Sequence, residues 1–228
     1  PSSYQAVPTK VIHVRPYITF TNRIGQDLYL KLSVEDEPKV LHAYDWRVSF
    51  MYSEGTTDKL QVRLVDTEWC QPLEIVKEDT IVIAMRKQGG TQKFVKAEIR
   101  GYEEGSRFLI VFRLGPAYGP IRIENRTSST TISTRQSGLG EDSWIQVKPL
   151  ATRKYSWDDP YGQKVIDVSV DKGDDTCVLC VDLENPIGSS TSFREHGLMF
   201  SIETSDIKIL KFAEYLRKEE VYGLPGSE

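Results

Sequence analysis

The chain has 228 residues, of which 39% are hydrophobic, 10% aromatic and 27% charged, and it carries a formal net charge of −4. That composition supplies a core and excludes a disordered chain, and the length holds either one large core or two of about 100 residues each. Net negative charge, with no basic run longer than two residues, argues against a nucleic-acid or anionic-membrane binder, because phosphate neutralisation needs Lys and Arg massed on one face.

No stretch of eighteen apolar residues occurs, and the start, Pro1-Ser2-Ser3-Tyr4-Gln5-Ala6-Val7-Pro8, lacks the charged head and apolar block of a secretory leader. It reads as cut from a longer chain. Three cysteines, Cys70, Cys177 and Cys180, are too few for a disulfide framework and point to a reducing, cytosolic compartment.

Residues 1–15 form a mixed lead-in, with Lys10 to Val14 adding at most a short strand. From Tyr17 the alternation is clear: Ile18 and Phe20 face one way, Thr19 and Thr21 the other, and the strand ends in Asn22-Arg23. Leu28, Leu30 and Leu32 repeat the pattern before Glu35-Asp36-Glu37-Pro38. Further strands are expected at Val48 to Tyr52, Leu60 to Val65, Ile75, Ile81 to Met85, Phe94 to Ile99 and Phe108 to Leu114, with turns at Gly89-Gly90 and Glu103-Glu104-Gly105. The second half continues with Ile121 to Glu124, Thr131 to Thr134, Trp144 to Val147, Lys154 to Trp157, Val165 to Val170, Cys177 to Leu183, Met199 to Glu203 and Ile207 to Phe212. Only Phe212 to Glu220 has helical composition. Short strands about ten residues apart, separated by Gly, Asp and Pro turns, predict an all-β sandwich or barrel.

The central stretch is Pro120 to Pro160. Ile121 and Ile123 alternate with Arg122 and Glu124, and the strand breaks at Asn125, a residue that tolerates left-handed geometry and ties its own turn. Tyr155 and Trp157, one residue apart, can share a strand face before Asp158-Asp159-Pro160 stops the ladder. Placing Asn22 on Asn125 lays Ile18 to Arg23 over Ile121 to Arg126. Phe50 then falls near Tyr155, and Leu60 to Leu64 near Val165 to Val170 once two residues are inserted. The fold expected is therefore two tandem antiparallel β-sandwich repeats: lead-in 1–15, first repeat 16–115, second repeat 116–212 and tail 213–228. The break is Gly115-Pro116-Ala117-Tyr118-Gly119-Pro120, rich in strand-stopping residues.

Asn-Arg after an alternating strand, a Trp-containing strand, and Tyr-Ser-Trp-Asp-Asp-Pro-Tyr-Gly about thirty residues on resemble the adaptor-binding domain, also labelled Short-Root-binding, of the vacuolar-protein-sorting thirteen family of bridge-like lipid transfer proteins. The resemblance covers about residues 16 to 212, and its most specific element is Tyr155 to Pro160. The first copy has Tyr44-Asp45-Trp46 and Phe50 where the second has Trp-Asp-Asp-Pro. The resemblance implies two of the family's tandem sandwich repeats in a fragment of a larger chain, receiving a Pro-x-Pro peptide of an organelle adaptor. It also implies a cytoplasmic protein held peripherally at membrane contact sites through adaptors, with no cofactor and no enzymatic activity.

For the peptide site the candidates are Asn125, Ile121, Ile123, Arg126 and Asn22. Each asparagine has two readings: a turn residue whose amide satisfies nearby backbone, or the organiser of the sheet edge that takes the peptide by strand addition. On the second reading Asn125→Ala keeps the fold and loses the peptide. Trp144, Tyr155 and Trp157 are read as packing residues, or else as a groove for proline. Asp158 and Asp159, adjacent before a proline, read as capping groups rather than an acid–base pair. Cys177 and Cys180 read as core cysteines in a strand. His13, His42 and His196 have no metal spacing. A carbohydrate-binding sandwich using Trp69, Trp144 and Trp157, or a purely structural spacer, are the rival readings.

Overall fold

The computed structural model describes residues 16–32, 37–45, 48–50, 59–75, 77–87, 90–101, 108–117, 119–172, 175–185, 190–193 and 198–214. The lead-in, Trp46, the turn at Glu103 to Gly105 and residues 215–220 of the stretch with helical composition lie outside these residues, while its first residues, Phe212 to Glu214, are strand because they continue the ladder begun at Lys208.

The first half carries strands β1 Ile18–Arg23, β2 Leu28–Lys31, β3 Lys39–Leu41, β4 Val48–Phe50, β5 Lys59–Leu64, β6 Leu73–Glu74, β7 Asp79–Arg86, β8 Gln92–Gly101 and β9 Phe108–Leu114. The second half carries β10 Ile121–Asn125, β11 Ile132–Gln136, β12 Ile145–Val147, β13 Thr152–Tyr155, β14 Val165–Lys172, β15 Asp175–Asp182, β16 Ser190–Phe193, β17 Leu198–Thr204 and β18 Lys208–Glu214, with one short 3-10 turn at Glu141–Ser143. These form two pairs of sheets: β4-β1-β9-β8-β7 with β3-β2-β5-β6, and β13-β10-β18-β17-β16 with β12-β11-β14-β15. Each strand order repeats the other when nine is added to every strand number. The fold is all-β in two tandem sandwiches, as the alternation predicts.

Pairing is antiparallel except for β1 with β9 and β10 with β18, which run parallel. The first strand of each sandwich is central, and only the returning last strand is left to satisfy the amides on its second side. The core follows from the period of two. Ile18 and Phe20, Leu28 and Leu30, Val62 and Leu64, and Ile110 and Phe112 turn inward from both sheets into one buried cluster. Ile121 and Ile123, Ile132, Val147, Ile166 and Val168, and Leu210 and Phe212 form the second.

Two short strands, β3 and β16, have too few alternations to stand out in the sequence. β13 ends at Tyr155, so Trp157 lies beyond the strand rather than on its face. β10 and β13 do pair, Ile121 opposite Tyr155, just as Ile18 lies opposite Phe50.

Candidate functional site

Asn22 and Asn125 end the first strand of their sandwiches and are almost fully buried. Asn125 Nδ2 donates to Thr130 O at 2.8 Å and Val147 O at 2.9 Å. Its Oδ1 accepts from Thr127 N at 3.0 Å and lies 2.7 Å from the Thr127 hydroxyl. Asn22 Nδ2 donates to Gln26 O, Leu41 O and His42 O at 2.8 to 3.1 Å, and its Oδ1 accepts from Ile24 N at 2.9 Å. One amide thus fastens its own loop and the end of β3 or β12 on the opposite sheet. The Asn125 amide has no donor or acceptor left for a ligand.

Neither asparagine is left-handed. The positive φ falls instead on Tyr44 (67°) and Leu150 (55°), which occupy matching places in the turns after β3 and β12. In each turn the next residue's amide bonds back, Asp45 N to His42 O and Ala151 N to Lys148 O. The asparagine amide returns the bond, Asn22 N to Asp45 O and Asn125 N to Ala151 O. A left-handed non-glycine residue costs about 1–2 kcal/mol, and the asparagine contacts keep it in place.

β10 lies between β13 and β18 and has no open side. Ile121 and Ile123 are core residues. Arg126 is exposed and pairs with Glu124 at 2.7 Å. The nearest sheet margin is β13. Because Asn125 bonds Ala151, the alternation turns Arg153 and Tyr155 toward β10 and Thr152, Lys154 and Ser156 outward. Ser156 N donates to Gln92 Oε1 of the first sandwich at 3.3 Å. Beside this margin a cleft of about 310 Å³ is lined by Gly90, Thr91 and Gln92 from one sandwich and Thr152, Arg153 and Lys154 from the other.

The segment Tyr155 to Gly162 joins the two sandwiches. Asp158, nearly fully buried, accepts from Arg86 Nη2 at 2.6 Å and Nε at 3.3 Å. The same guanidinium donates to Asp142 O at 3.1 Å and Ser143 O at 2.8 Å. Burial raises the Asp158 carboxyl above its ordinary value, and the Arg86 hydrogen bond and charge only partly offset it. Tyr161 packs against the first core, with Lys77 over its ring at 5.8 Å. From behind, Gln136 Nε2 donates to Asp159 O and Gln163 O, and Asp159 N donates to Gln136 Oε1.

Asp159 is the cap that its position suggests, since Oδ1 accepts from Tyr161 N at 2.9 Å. Asp158 is not a cap: its partner lies across the junction, 72 positions away. Tyr155 is 1% exposed and meets Trp157 edge-on at 5.8 Å; burial pushes its hydroxyl well above the usual phenol value. Trp157 packs on the second core beneath Lys164. Trp144 is half-buried under the Arg135 guanidinium, 4.4 Å away. Cys180 is exposed rather than a core residue, with its thiol 3.3 Å from Asp167 Oδ1; β15 is an edge strand and turns this position outward. The Cys177 side chain lies outside the described residues. Among the described residues no three His, Cys, Asp or Glu side chains gather into a metal-binding group. No helix there is long and apolar enough to cross a membrane.

The family model described as "Vacuolar-sorting associated protein 13, adaptor binding domain" matches residues 2–164. The chain belongs to that family. The matched span of this adaptor-binding domain takes in the whole first sandwich, the Asn125 clip and the Tyr155–Gly162 segment. No curated protein sequence matches the chain. The adaptor-binding domain also contains junction contacts that sequence reasoning missed, namely those of Arg86, Gln92 and Tyr161. The one available signal was the unusual density of Asp, Pro and aromatic residues in Tyr155 to Tyr161.

Proposed function

We propose that this adaptor-binding domain serves a bridge-like lipid transfer protein by taking short Pro-x-Pro peptides from organelle adaptors through strand addition, so placing the protein at membrane contact sites. Family membership carries this reading. The margin of β13 is where we place the peptide, with its main chain along Thr152 to Lys154 and its prolines in the cleft against Gly90 to Gln92. Ile121 and Ile123 then act from beneath, Asn22 and Asn125 by fixing the turns, Arg126 at the strand end, and Tyr155 and Trp157 as the floor. Trp144 stands apart from this cleft. The same reading divides the chain at Gly115 to Pro120, involves no catalytic step and no cofactor, and reaches the membrane through the adaptor alone.

A Pro-x-Pro peptide of about ten residues, titrated calorimetrically into the chain, is expected to bind with Kd on the order of micromolar. Thr152→Pro removes an outward amide on an edge strand, where proline is tolerated, and is expected to weaken binding at least about tenfold with an unchanged β spectrum. Unchanged affinity overturns the β13 placement. Absence of binding by the unsubstituted chain overturns the peptide reading itself.

A further inference from the structure

On the outer face of the first four-stranded sheet, Arg63 of β5 lies between two rings, 4.9 Å from the centroid of Tyr29 and 5.1 Å from that of Trp69. Lys31 Nζ also lies over the Trp69 ring, 4.8 Å from its centroid. The Arg63 Nε is buried and has no hydrogen-bond partner among the described residues, and no described carboxylate forms an ion pair with this guanidinium. Beside it opens a cleft of about 610 Å³, lined by Arg63, Val65, Asp66, Glu68, Trp69 and Lys87. Asp66 is already held by Lys87 at 2.7 Å and Lys93 at 2.8 Å, which bring its carboxyl down to about 2.

The second sandwich stacks its cation at a different register position, where anions are supplied. Arg135 stacks on Trp144 and occupies the register position of Lys31: Lys31 faces Gln61 across the ladder, and Arg135 faces Asp167. Arg135 is paired with Asp167 at 3.2 Å and Glu141 at 2.8 Å. At the position of Arg63 the second sandwich has Ser169, opposite Ser133 where Arg63 is opposite Tyr29. A planar guanidinium held flat by two rings is preorganised for a carboxylate fork, and among the described residues Arg63 has none.

We infer that the Arg63–Trp69 cleft is a second docking site, which takes an acidic residue of an extended peptide from a protein partner. The exposed Val65 and the Trp69 wall offer apolar surface to the residues flanking the acid. A cleft lined by Asp66 and Glu68 as well as Arg63 and Lys87 is not the massed basic face that an anionic lipid surface needs, and it suits a single acidic side chain instead. The site is independent of the β13 margin, and Thr152→Pro leaves it intact.

The probe is a blocked pentapeptide with two glutamates around a valine, compared with the same peptide bearing glutamines, by tryptophan fluorescence and calorimetry at about 0.05 M salt. The glutamate peptide is expected to bind at least about tenfold tighter. Arg63→Gln abolishes that preference, Arg63→Lys weakens it because ammonium presents no fork, and Arg135→Gln leaves it unchanged. If Arg63→Gln does not fold, Arg63→Lys carries the test. Equal affinity for the two peptides, a preference that survives at Arg63→Lys in full, or equal loss at Arg135→Gln overturns the site. Binding to phosphatidylserine vesicles that is lost in Arg63→Gln overturns the peptide assignment in favour of lipid.

Discussion

The two sandwiches share a wiring diagram and differ in what fills and borders it. In the first core Phe20 stacks on Phe112 at 6.0 Å, and Ala97 lies opposite Phe112 across the ladder. In the second, Ile123 stands in the place of Phe20, and Phe200 in the place of Ala97, packed against Phe212 at 6.4 Å. The larger ring beside the shared phenylalanine has moved from the first strand to the eighth. The sheet margins differ more. β6 has two residues and the Thr67 to Cys70 loop closes over β5, where Cys70 N donates to Val62 O, whereas its counterpart β15 runs for eight. The shared elements are the asparagine clip and the left-handed turn it holds, so the repeated information lies at the strand ends and the cores repack around it.

The largest expected effect lies where the sandwiches meet. Arg86→Met leaves the Asp158 carboxylate buried without its cation, and breaking such a pair costs about 3–5 kcal/mol. Urea unfolding at neutral pH is expected to show that loss and to separate into two transitions as the sandwiches uncouple. The pH dependence has a definite sign. In the variant the folded-state carboxyl value rises further above the unfolded one, so the folded chain binds the extra proton. The deficit therefore shrinks as pH falls through that raised value toward about 4. A deficit that is constant across this range, or a single unshifted transition, shows that the Arg86–Asp158 pair does not couple the two sandwiches.

The clips come next. Asn125→Ala strands Thr130 O, Val147 O and Thr127 N, and Asn22→Ala strands the matching carbonyls and Ile24 N. Each is expected to cost about 2–4 kcal/mol, with Asn125 the costlier because its oxygen also meets the Thr127 hydroxyl. Asn125→Ala is consequently a substitution of the fold, and a loss of peptide in that variant reports loss of the frame. Equal and negligible melting shifts for both would show that the turn at Leu150 holds itself.

Alternation made most strands legible, because Ile18 and Phe20, or Ile121 and Ile123, announce a buried face every second residue. The duplication was equally readable: Phe50 opposite Ile18 and Tyr155 opposite Ile121 are matching pairs, and the offset between Asn22 and Asn125 puts Phe50 about two residues from Tyr155. The partner of Asp158 was not readable. Arg86 is separated from it by a whole series of strands, and no periodicity or spacing links a turn carboxylate to a distant strand end. The same limit made β10 look like a margin, since neighbours in a sheet are set by the strands that arrive later, here β13 and β18.

The smallest effect compares the two outer faces. Trp144→Leu removes the ring under Arg135 and the indole bond to Glu141 at 2.9 Å, yet Arg135 keeps both carboxylates, so the cost is about 0.5–1 kcal/mol. Trp69→Leu removes a ring shared by Arg63 and Lys31, and Arg63 has no described carboxylate to fall back on; the cost is expected to reach about 1–2 kcal/mol. Chemical denaturation of the two variants side by side gives the ordering. If Trp144→Leu proves the more damaging, the first face is held by something other than its stacked cations, and the vacancy for an acidic group loses its physical basis.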